Sequence, residues 1–436
     1  VTIAPGSLAA LLQAGRFHAY AYAYPHKTAW RAITPGVPLA EAWAGEDRRA
    51  LALYVHVPFC EQRCGFCNLY TVAQPKADAV GAWLSTLQRQ ARVTADALGE
   101  HAFAQVAIGG GTPTFLSTGQ LAAVLELLSR LGAHGVPASV EASPDTLDDD
   151  KLALLASFGV ERLSLGVQSV LEAETGAVQR RQDAAVALSA LSRAAAVLPI
   201  VNADLIYGLP GQTAASLVAS IDAVLTAGAN ELYLYPLYVR PMTGLGRRES
   251  ALADDRAQLY EVGREALLGR GWEQVTMRCF RRPREARLTA YRCQHDGMVG
   301  LGPGARSYTR ALHYSSPFAV SQSALRSAVA DWAASDDAAL ATITHGVRLN
   351  AEELRRRYAM LSLLEQGLDR LDYASTFGGD VLDDLPQLAE VTALGLAAWH
   401  GPALRLNAAG RAASDGIGQW LQSAEVAALR AAWTPR

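Results

Sequence analysis

The sequence predicts an α/β fold built on a parallel sheet with helices outside it. Strand-like apolar runs recur at 51–57, 104–108, 138–142, 161–166, 200–206 and 231–238. Helical patterns lie between them near 77–97, 118–131, 147–157, 183–197 and 213–227, with another near 252–269. Alternation of this kind buries both faces of a parallel sheet. Half of the 436 residues are hydrophobic and 19% are charged, so a large core is readily supplied. Six strand–helix units are too few for a complete eight-stranded barrel. In such folds ligands bind at the carboxyl ends of the strands, so motifs carrying chemistry should fall just after them.

Charge and cysteine usage exclude several classes. A formal charge of −3 gives no electrostatic case for a nucleic-acid partner. No run approaches 18 uninterrupted apolar residues and no signal peptide opens the chain, so no membrane association is expected. Five cysteines, three of them clustered, do not make a disulfide framework, which places the protein in the reducing cytoplasm.

Residues 1–49 form an N-terminal arm. Ser7 to Tyr20 suits a short helix, and the alternate tyrosines Tyr20, Tyr22 and Tyr24 suggest an extended segment with one aromatic face. The segment reads either as a flap offering His26, Lys27 and Arg31 to an anionic group or as an arm packing its aromatics on the barrel wall, and the packing reading is preferred.

The first run, Leu51 to Val57, delivers the chain into a loop with Cys60, Cys64 and Cys67, spaced C-x3-C-x2-C. Three thiolates close together hold three corners of a cubane [4Fe–4S] cluster, leaving one iron open to another ligand. The alternatives are a structural zinc site short of one ligand and three ordinary thiols. Structural zinc prefers paired C-x2-C elements with four ligands, and no second pair exists here.

The polar motifs do follow the strands. After the second run come Gly109-Gly110-Gly111-Thr112-Pro113-Thr114, whose backbone can approach a ligand closely. The Lys-Ser/Thr ending of a phosphate-binding loop is missing. The third run ends in Glu141-Ala142-Ser143-Pro144-Asp145, where Asp145 also suits helix capping. The fourth continues into Gln168, with Gln179-Arg180-Arg181 a little later, and the fifth carries Asp204, which needs a partner to offset burial. The sixth holds Tyr233, Tyr235 and Tyr238 and leads into Arg240.

Beyond it, Cys279 and Cys293 read as small buried hydrophobes or as a thiol pair on the substrate side. Gly300, Gly302 and Ala305 mark a Gly-rich strand and turn that lacks the context of a dinucleotide fingerprint. From about residue 312 helices dominate, clearest at Ser321–Ala334 and Ala351–Gln366, followed by a short hairpin near Leu404–Asn407 and a final helix.

The cysteine motif, with Phe66 before the last cysteine, resembles the signature of the radical S-adenosylmethionine (SAM) enzymes. The phrase Tyr54 to Cys67 resembles the branch typified by oxygen-independent coproporphyrinogen III oxidase (dehydrogenase). The likeness runs well over about residues 50–310 and more loosely beyond. It extends to R-x-S-x-G-V-Q at Arg162–Gln168 and D-L-I-Y-G-L-P-x-Q-T at Asp204–Thr213.

The resemblance implies an open six-stranded (β/α)6 partial barrel over 50–311 and a coproporphyrinogen oxidase-like, winged-helix-type domain over 312–436. It implies a [4Fe–4S] cluster on Cys60, Cys64 and Cys67, with SAM chelating the open iron and splitting on reduction to methionine and a 5′-deoxyadenosyl radical. Tyr54, Phe66, Gly110, Gly111, Thr112, Glu141, Gln168, Arg180 and Asp204 would line the SAM site. Among these, the glycine segment would meet the amino group, Arg180 the carboxylate and Asp204 the ribose hydroxyls. The partners would be a small-molecule substrate and a one-electron donor such as flavodoxin or ferredoxin.

Two departures blur the reaction. The dehydrogenase motif continues to a fourth cysteine where Leu69 stands, and the heme-carrying relatives' His-Asn and Tyr-Trp give way to His295-Asp296-Gly297. A third group, using two SAM molecules for radical C-methylation, shares the shortened motif. The leading expectation is therefore a radical SAM enzyme acting on a small molecule, with a second SAM as a candidate methyl source. Coproporphyrinogen III decarboxylation and a non-catalytic heme chaperone are the alternatives.

Overall fold

The six strand–helix units are all present. In a computed structural model that describes residues 6–17, 20–247, 254–283 and 293–435, the strands are β1 (Leu51–Val57), β2 (Phe103–Gly110), β3 (Ala138–Ala142), β4 (Val160–Gln168), β5 (Ile200–Tyr207) and β6 (Glu231–Pro236). The helices that follow them are α1 (Ala79–Leu98), α2 (Thr118–Arg130), α3 (Asp149–Phe158), α4 (Ala184–Val197), α5 (Ala214–Thr226) and α6 (Arg256–Gly269).

The strands pair in parallel in chain order, as adjacent βαβ crossovers require. On its other side β1 pairs not with β6 but with a further parallel strand, β7 (Met298–Leu301), which carries the Gly-rich turn. The barrel is therefore open, and antiparallel strands continue the sheet beyond β7.

Local sequence explains the boundaries. Ser117 and Gln120 form a reciprocal capping box at the start of α2, and Thr213 with Ser216 does the same for α5. Asp148 and Asp183 cap α3 and α4 by accepting from backbone N–H groups two or three residues on. Strand β1 is buried at six of its seven positions, the pattern of a strand covered on both faces.

Charges are also built into the barrel. The carboxylate of Glu231, at the start of β6, is 1% exposed and accepts from Arg162 Nε at 2.6 Å and from Arg281 Nε. Arg162 also donates to Ser139 Oγ at 3.0 Å and lies over the Tyr233 ring.

The chain divides into two units. Residues 31–273 and 280–346 make the larger, and residues 1–30, 274–279 and 347–434 the smaller. In the smaller unit, helix Ala351–Glu365 and five short helices between residues 370 and 420 accompany a sheet of Leu368–Asp369, Ala403–Leu406 and Ala397–His400, ending in helix Ala424–Ala431. This is the helix-then-hairpin pattern expected of a winged-helix-type domain.

The N-terminal arm departs from the extended segment expected of it. After helix Leu8–Ala14, residues 20–30 form bends and one 3-10 turn at Lys27–Ala29. Specific buried bonds replace strand pairing: Tyr24 donates to Glu353, and Ala21 N donates to Asp415 at 3.2 Å. The aromatic face itself is real, with the Tyr20 and Tyr22 rings 4.6 Å apart and Arg278 seated 3.9 Å from the Tyr20 ring while it bonds Asp415. Among the described residues no helix is long and apolar enough to cross a membrane.

Removing Glu231 would leave two guanidinium groups facing each other without their shared carboxylate. Glu231→Ala is expected to cost about 3–5 kcal/mol, read as a lowered urea midpoint, and Glu231→Gln less because it retains an acceptor.

Candidate active site

The cysteine loop leaves the carboxyl end of β1 and is fixed through its backbone. Gly65 N donates to Val178 O at 2.7 Å and Gly65 O accepts from Leu245 N at 2.8 Å. A Cβ at Gly65 would lie 3.0 Å from Val178 O, so glycine permits this approach. Cys67 N closes a turn onto Cys64 O at 3.0 Å, and Gln74 N donates to Cys60 O at 3.0 Å. Phe66 packs on an apolar cluster of Val178, Ile206, Leu209, Leu237 and Leu245, joined by Tyr235.

The three thiols meet different neighbours. Cys60 Sγ lies 3.2 Å from Thr112 Oγ1, and Cys64 Sγ lies 3.5 Å from Arg180 Nη1. Enclosure by protein atoms, together with the charges of Cys64 and Cys60, pushes the Cys67 thiol up to about 12. This holds although part of its surface is open. Such a thiol ionises only when a positive centre takes its place as counter-charge, as a metal ligand does. Among the described residues no three His, Cys, Asp or Glu side chains converge as the ligands of a single metal ion would. A [4Fe–4S] cluster asks something else, one thiolate on each of three irons. Three soft donors on one short loop held by backbone hydrogen bonds fit that group.

Each glycine of the Gly109–Gly111 turn is needed for close approach. A Cβ at Gly109 would lie 2.8 Å from the Glu141 carboxylate, one at Gly110 2.7 Å from the His56 ring, and one at Gly111 2.3 Å from Phe59 O. Gly110 N donates to Glu141 Oε2 at 3.0 Å. Lys151 ties this loop to the next, donating from Nζ to Thr114 O at 2.9 Å and Thr146 O at 2.8 Å.

The Glu141 side chain is open to solvent at the end of β3. Water reaches it, yet surrounding protein desolvates it enough to push its pKa up to about 7, with the negative charge of Asp204 adding to the rise. Asp204 is likewise pushed up to about 6 by desolvation, against the opposing effects of Arg162, Asn202 and Ser164. It accepts from Ser164 Oγ at 3.1 Å and Asn202 Nδ2 at 2.7 Å.

Gln168 has φ +66°, a left-handed backbone that costs a residue with a side chain roughly 1–2 kcal/mol, at a bulge in the β4–β5 ladder. Its amide has no hydrogen-bond partner among the described residues and lies where a Cβ on Gly166 would be, 2.9 Å away. Arg180, almost fully buried, divides its guanidinium among Gly166 O, Gln182 Oε1 at 3.0 Å and Cys64 Sγ. Tyr54 Oη lies 3.1 Å from His56 Nδ1, and His56 Nε2 bonds Tyr70 O at 2.7 Å.

Direct contacts thus join Cys60 to Thr112, Cys64 to Arg180, and Gly110 to Glu141. Tyr54 and Asp204 are held by residues that carried no assigned role. His56, Ser164, Asn202, Lys151 and Gln182 are the additions from structure. Asn202 was legible in part, because it shares the polar face of its strand with Asp204 two residues on. Cys279 is buried at the start of a short strand, Cys293 is half-buried, and all five cysteines are free thiols.

A three-cysteine loop at the carboxyl end of the first strand of an open parallel sheet is the arrangement of a radical SAM protein, and the sequence pattern of the radical SAM superfamily matches residues 54–224. The heme chaperone HemW of Mycobacterium tuberculosis is 35% identical over 276 residues, spanning 59% of this chain and 69% of that protein. HemW of Bacillus subtilis is 31% identical, over 58% and 70% of the two chains. The oxygen-independent coproporphyrinogen III oxidase of Salmonella typhimurium is 30% identical over 58% and 57%. The solved structure of Escherichia coli coproporphyrinogen III oxidase (HemN) superposes with a TM-score of 0.77 at 22% identity, covering 95% of this chain and 98% of that one. The chain belongs to the coproporphyrinogen III oxidase-like family of the radical SAM superfamily.

A carboxyl group whose folded pKa is raised stabilises the fold below its ordinary pKa, and that contribution is lost as pH climbs through the folded value. The stability of the ligand-free protein at urea midpoint is therefore expected to decline between about pH 4 and pH 7, from the ordinary carboxyl values to the raised ones. Glu141→Gln should flatten part of that decline, by no more than about 1 kcal/mol because water reaches the group. An unchanged slope in the variant would remove Glu141 as its source.

Proposed function

We propose that this protein is a radical SAM enzyme that holds a [4Fe–4S] cluster on Cys60, Cys64 and Cys67 and binds SAM over it. The observation that carries the reading is the three-cysteine loop pinned through its backbone, with Cys60 against Thr112 and Cys64 against Arg180, in a chain whose residues 54–224 match the radical SAM pattern. A cluster held by these three cysteines would supply the single electron for reductive cleavage of SAM, the chemistry that generates a hydrogen-abstracting radical.

The chain's own residues have distinct tasks in this proposal. Thr112 and Arg180 place hydrogen-bond donors on two sulfurs, which draws electron density from them and raises the cluster's potential. Glu141 and the Gly110–Gly111 backbone receive the SAM amino group. Arg180, whose three guanidinium nitrogens already meet Gln182, Cys64 Sγ and Gly166 O, offers its charge to the carboxylate and would give up one of these bonds to contact it, and Asp204, steadied by Ser164 and Asn202, accepts from the ribose hydroxyls. Gln168 supplies an unpaired amide, Tyr54 stands on the strand that feeds the loop, and Phe66 packs the loop's underside. A small-molecule substrate, a flavodoxin- or ferredoxin-type donor and a cytoplasmic setting complete the proposal.

Leu69, 49% exposed where the dehydrogenase motif has its fourth cysteine, speaks against assigning coproporphyrinogen as the substrate from family membership. No observation favours a second SAM molecule or methyl transfer. A second reading, heme carriage without turnover, draws support from the heme chaperone relatives at 35% and 31% identity.

Anaerobic reconstitution with iron and sulfide is expected to load about four irons per chain, and addition of SAM and dithionite to release 5′-deoxyadenosine. Cys60→Ala, Cys64→Ala and Cys67→Ala should each abolish release and lower iron content. A fully loaded protein that releases none, while binding heme stoichiometrically in a titration, would establish the carrier reading instead. Formation of vinyl groups on coproporphyrinogen III would assign the dehydrogenase reaction.

A further inference from the structure

Gln182 carries no role in the chemistry above, yet its side chain joins two parts of the site. It immediately precedes Asp183, whose carboxylate caps α4 by accepting from Ala185 N at 2.7 Å and Val186 N at 3.1 Å. The capped helix end gives Gln182 a fixed backbone from which to reach.

Its half-buried amide makes three bonds. Oε1 accepts from Arg180 Nε at 3.0 Å, while Nε2 donates to Val167 O at 2.7 Å and to Ser169 O at 3.2 Å. The amide meets these partners in one sense only, since reversal would set its oxygen against two carbonyls and its N–H groups against Arg180.

The partners belong to two features at the end of β4. Arg180 places Nη1 3.5 Å from Cys64 Sγ and donates from Nη2 to Gly166 O, so the hold on Nε sets the direction of a planar fork. Val167 and Ser169 flank Gln168, whose φ of +66° lies in the left-handed region. Ser169 N also bonds Val167 O at 2.8 Å, and with both carbonyls held the tight turn at the β4 bulge is closed. Gly166 lies against both features, because a Cβ there would be 2.9 Å from Gln168 Nε2 and 3.7 Å from Arg180 Nη2. Among the described residues no other side chain joins Arg180 to the backbone on both sides of Gln168.

We propose that Gln182 is a positioning residue for the SAM end of the site, aiming Arg180 and holding Gln168 in its left-handed turn through one amide. The inference rests on the radical SAM reading for what those two residues meet. Gln182 acts only through them.

Two variants separate its holds. Gln182→Met keeps the length and bulk of the side chain and removes all three bonds, whereas Gln182→Glu keeps an acceptor for Arg180 and removes the donors to the carbonyls. In ligand-free crystals of Gln182→Met, the Arg180 guanidinium is expected to leave Cys64 Sγ and Gln168 to return to negative φ. In Gln182→Glu only Gln168 is expected to move. After reconstitution the iron content should match the wild type. The SAM dissociation constant from equilibrium dialysis should rise roughly tenfold or more in Gln182→Met, the scale of one or two lost hydrogen bonds, and less in Gln182→Glu. The cluster's midpoint potential without SAM should fall in Gln182→Met, because a donor leaves a sulfur.

A glutamine that only stabilises the fold would lower the urea midpoint and leave these readings in place. Unmoved Arg180 and Gln168 in Gln182→Met, or an unchanged potential with SAM affinity within about twofold, would overturn the proposal. Should Gln182→Met fail to fold, Gln182→Glu decides, and a wild-type Gln168 conformation and SAM affinity there would overturn it. Should the wild type bind no SAM, the radical SAM reading fails, while the ligand-free structures and the potential still decide whether Gln182 positions the two residues.

Discussion

Two backbone hydrogen bonds at Gly65 set the position of the thiols. A loop with three cysteines has no long strand ladder to hold it, and three soft ligands must be placed before a cluster arrives. The bonds to Val178 O and from Leu245 N span the loop from opposite sides. Gly65 allows both, because its neighbours leave no room for a larger residue. Val178 and Leu245 belong to the apolar cluster under Phe66. Core packing at the end of β4, β5 and β6 is therefore transmitted to the thiols through main-chain bonds, with no flexible side chain between.

The same barrel carries a polar interior that packing alone would not choose. Glu231 is shared by two arginines, Arg162 reaches Ser139, and its charge eases the ionisation of Asp204. Buried ion groups seldom improve stability over apolar packing, because desolvation offsets the Coulomb gain. Their retention here is explained by what lies above them. The charge of Asp204 adds to the rise in the pKa of Glu141, and Arg162 opposes the rise at both carboxylates, so the arginine makes two neighbouring carboxylates tolerable.

The fold was legible because each strand run is apolar, short and bounded, and each helix opens on Ser, Thr or Asp. The site residues were legible as motifs at strand ends, which fixed where they would gather but not what would hold them. Lys151 reads as a surface lysine of α3, and only the fold brings the Thr114 and Thr146 carbonyls to it. The N-terminal tyrosines showed a period of two, yet a strand requires a partner edge, and buried acceptors at Glu353 and Asp415 took the segment instead. The second partner of β1 was likewise invisible, because β7 arrives from far along the chain.

The three thiols are not equivalent, and the difference follows from which strand end each one meets. Cys60 faces a neutral hydroxyl from the β2 loop, Cys64 a guanidinium delivered after β4, and Cys67 lies enclosed, with Arg63 the cation that opposes the rise in its pKa. Cys64 is the thiol with a guanidinium within hydrogen-bond distance of its sulfur, at 3.5 Å. Arg180 stands there only because Gly166 O and Gln182 hold the rest of its guanidinium. The bulge at Gln168 lies beside that carbonyl, so the strained residue and the cation on the sulfur share one support. Relaxing the bulge would turn Gly166 O away and release Arg180 from the thiol. The local backbone cost at Gln168 thus has a counterpart in the charge placed at Cys64.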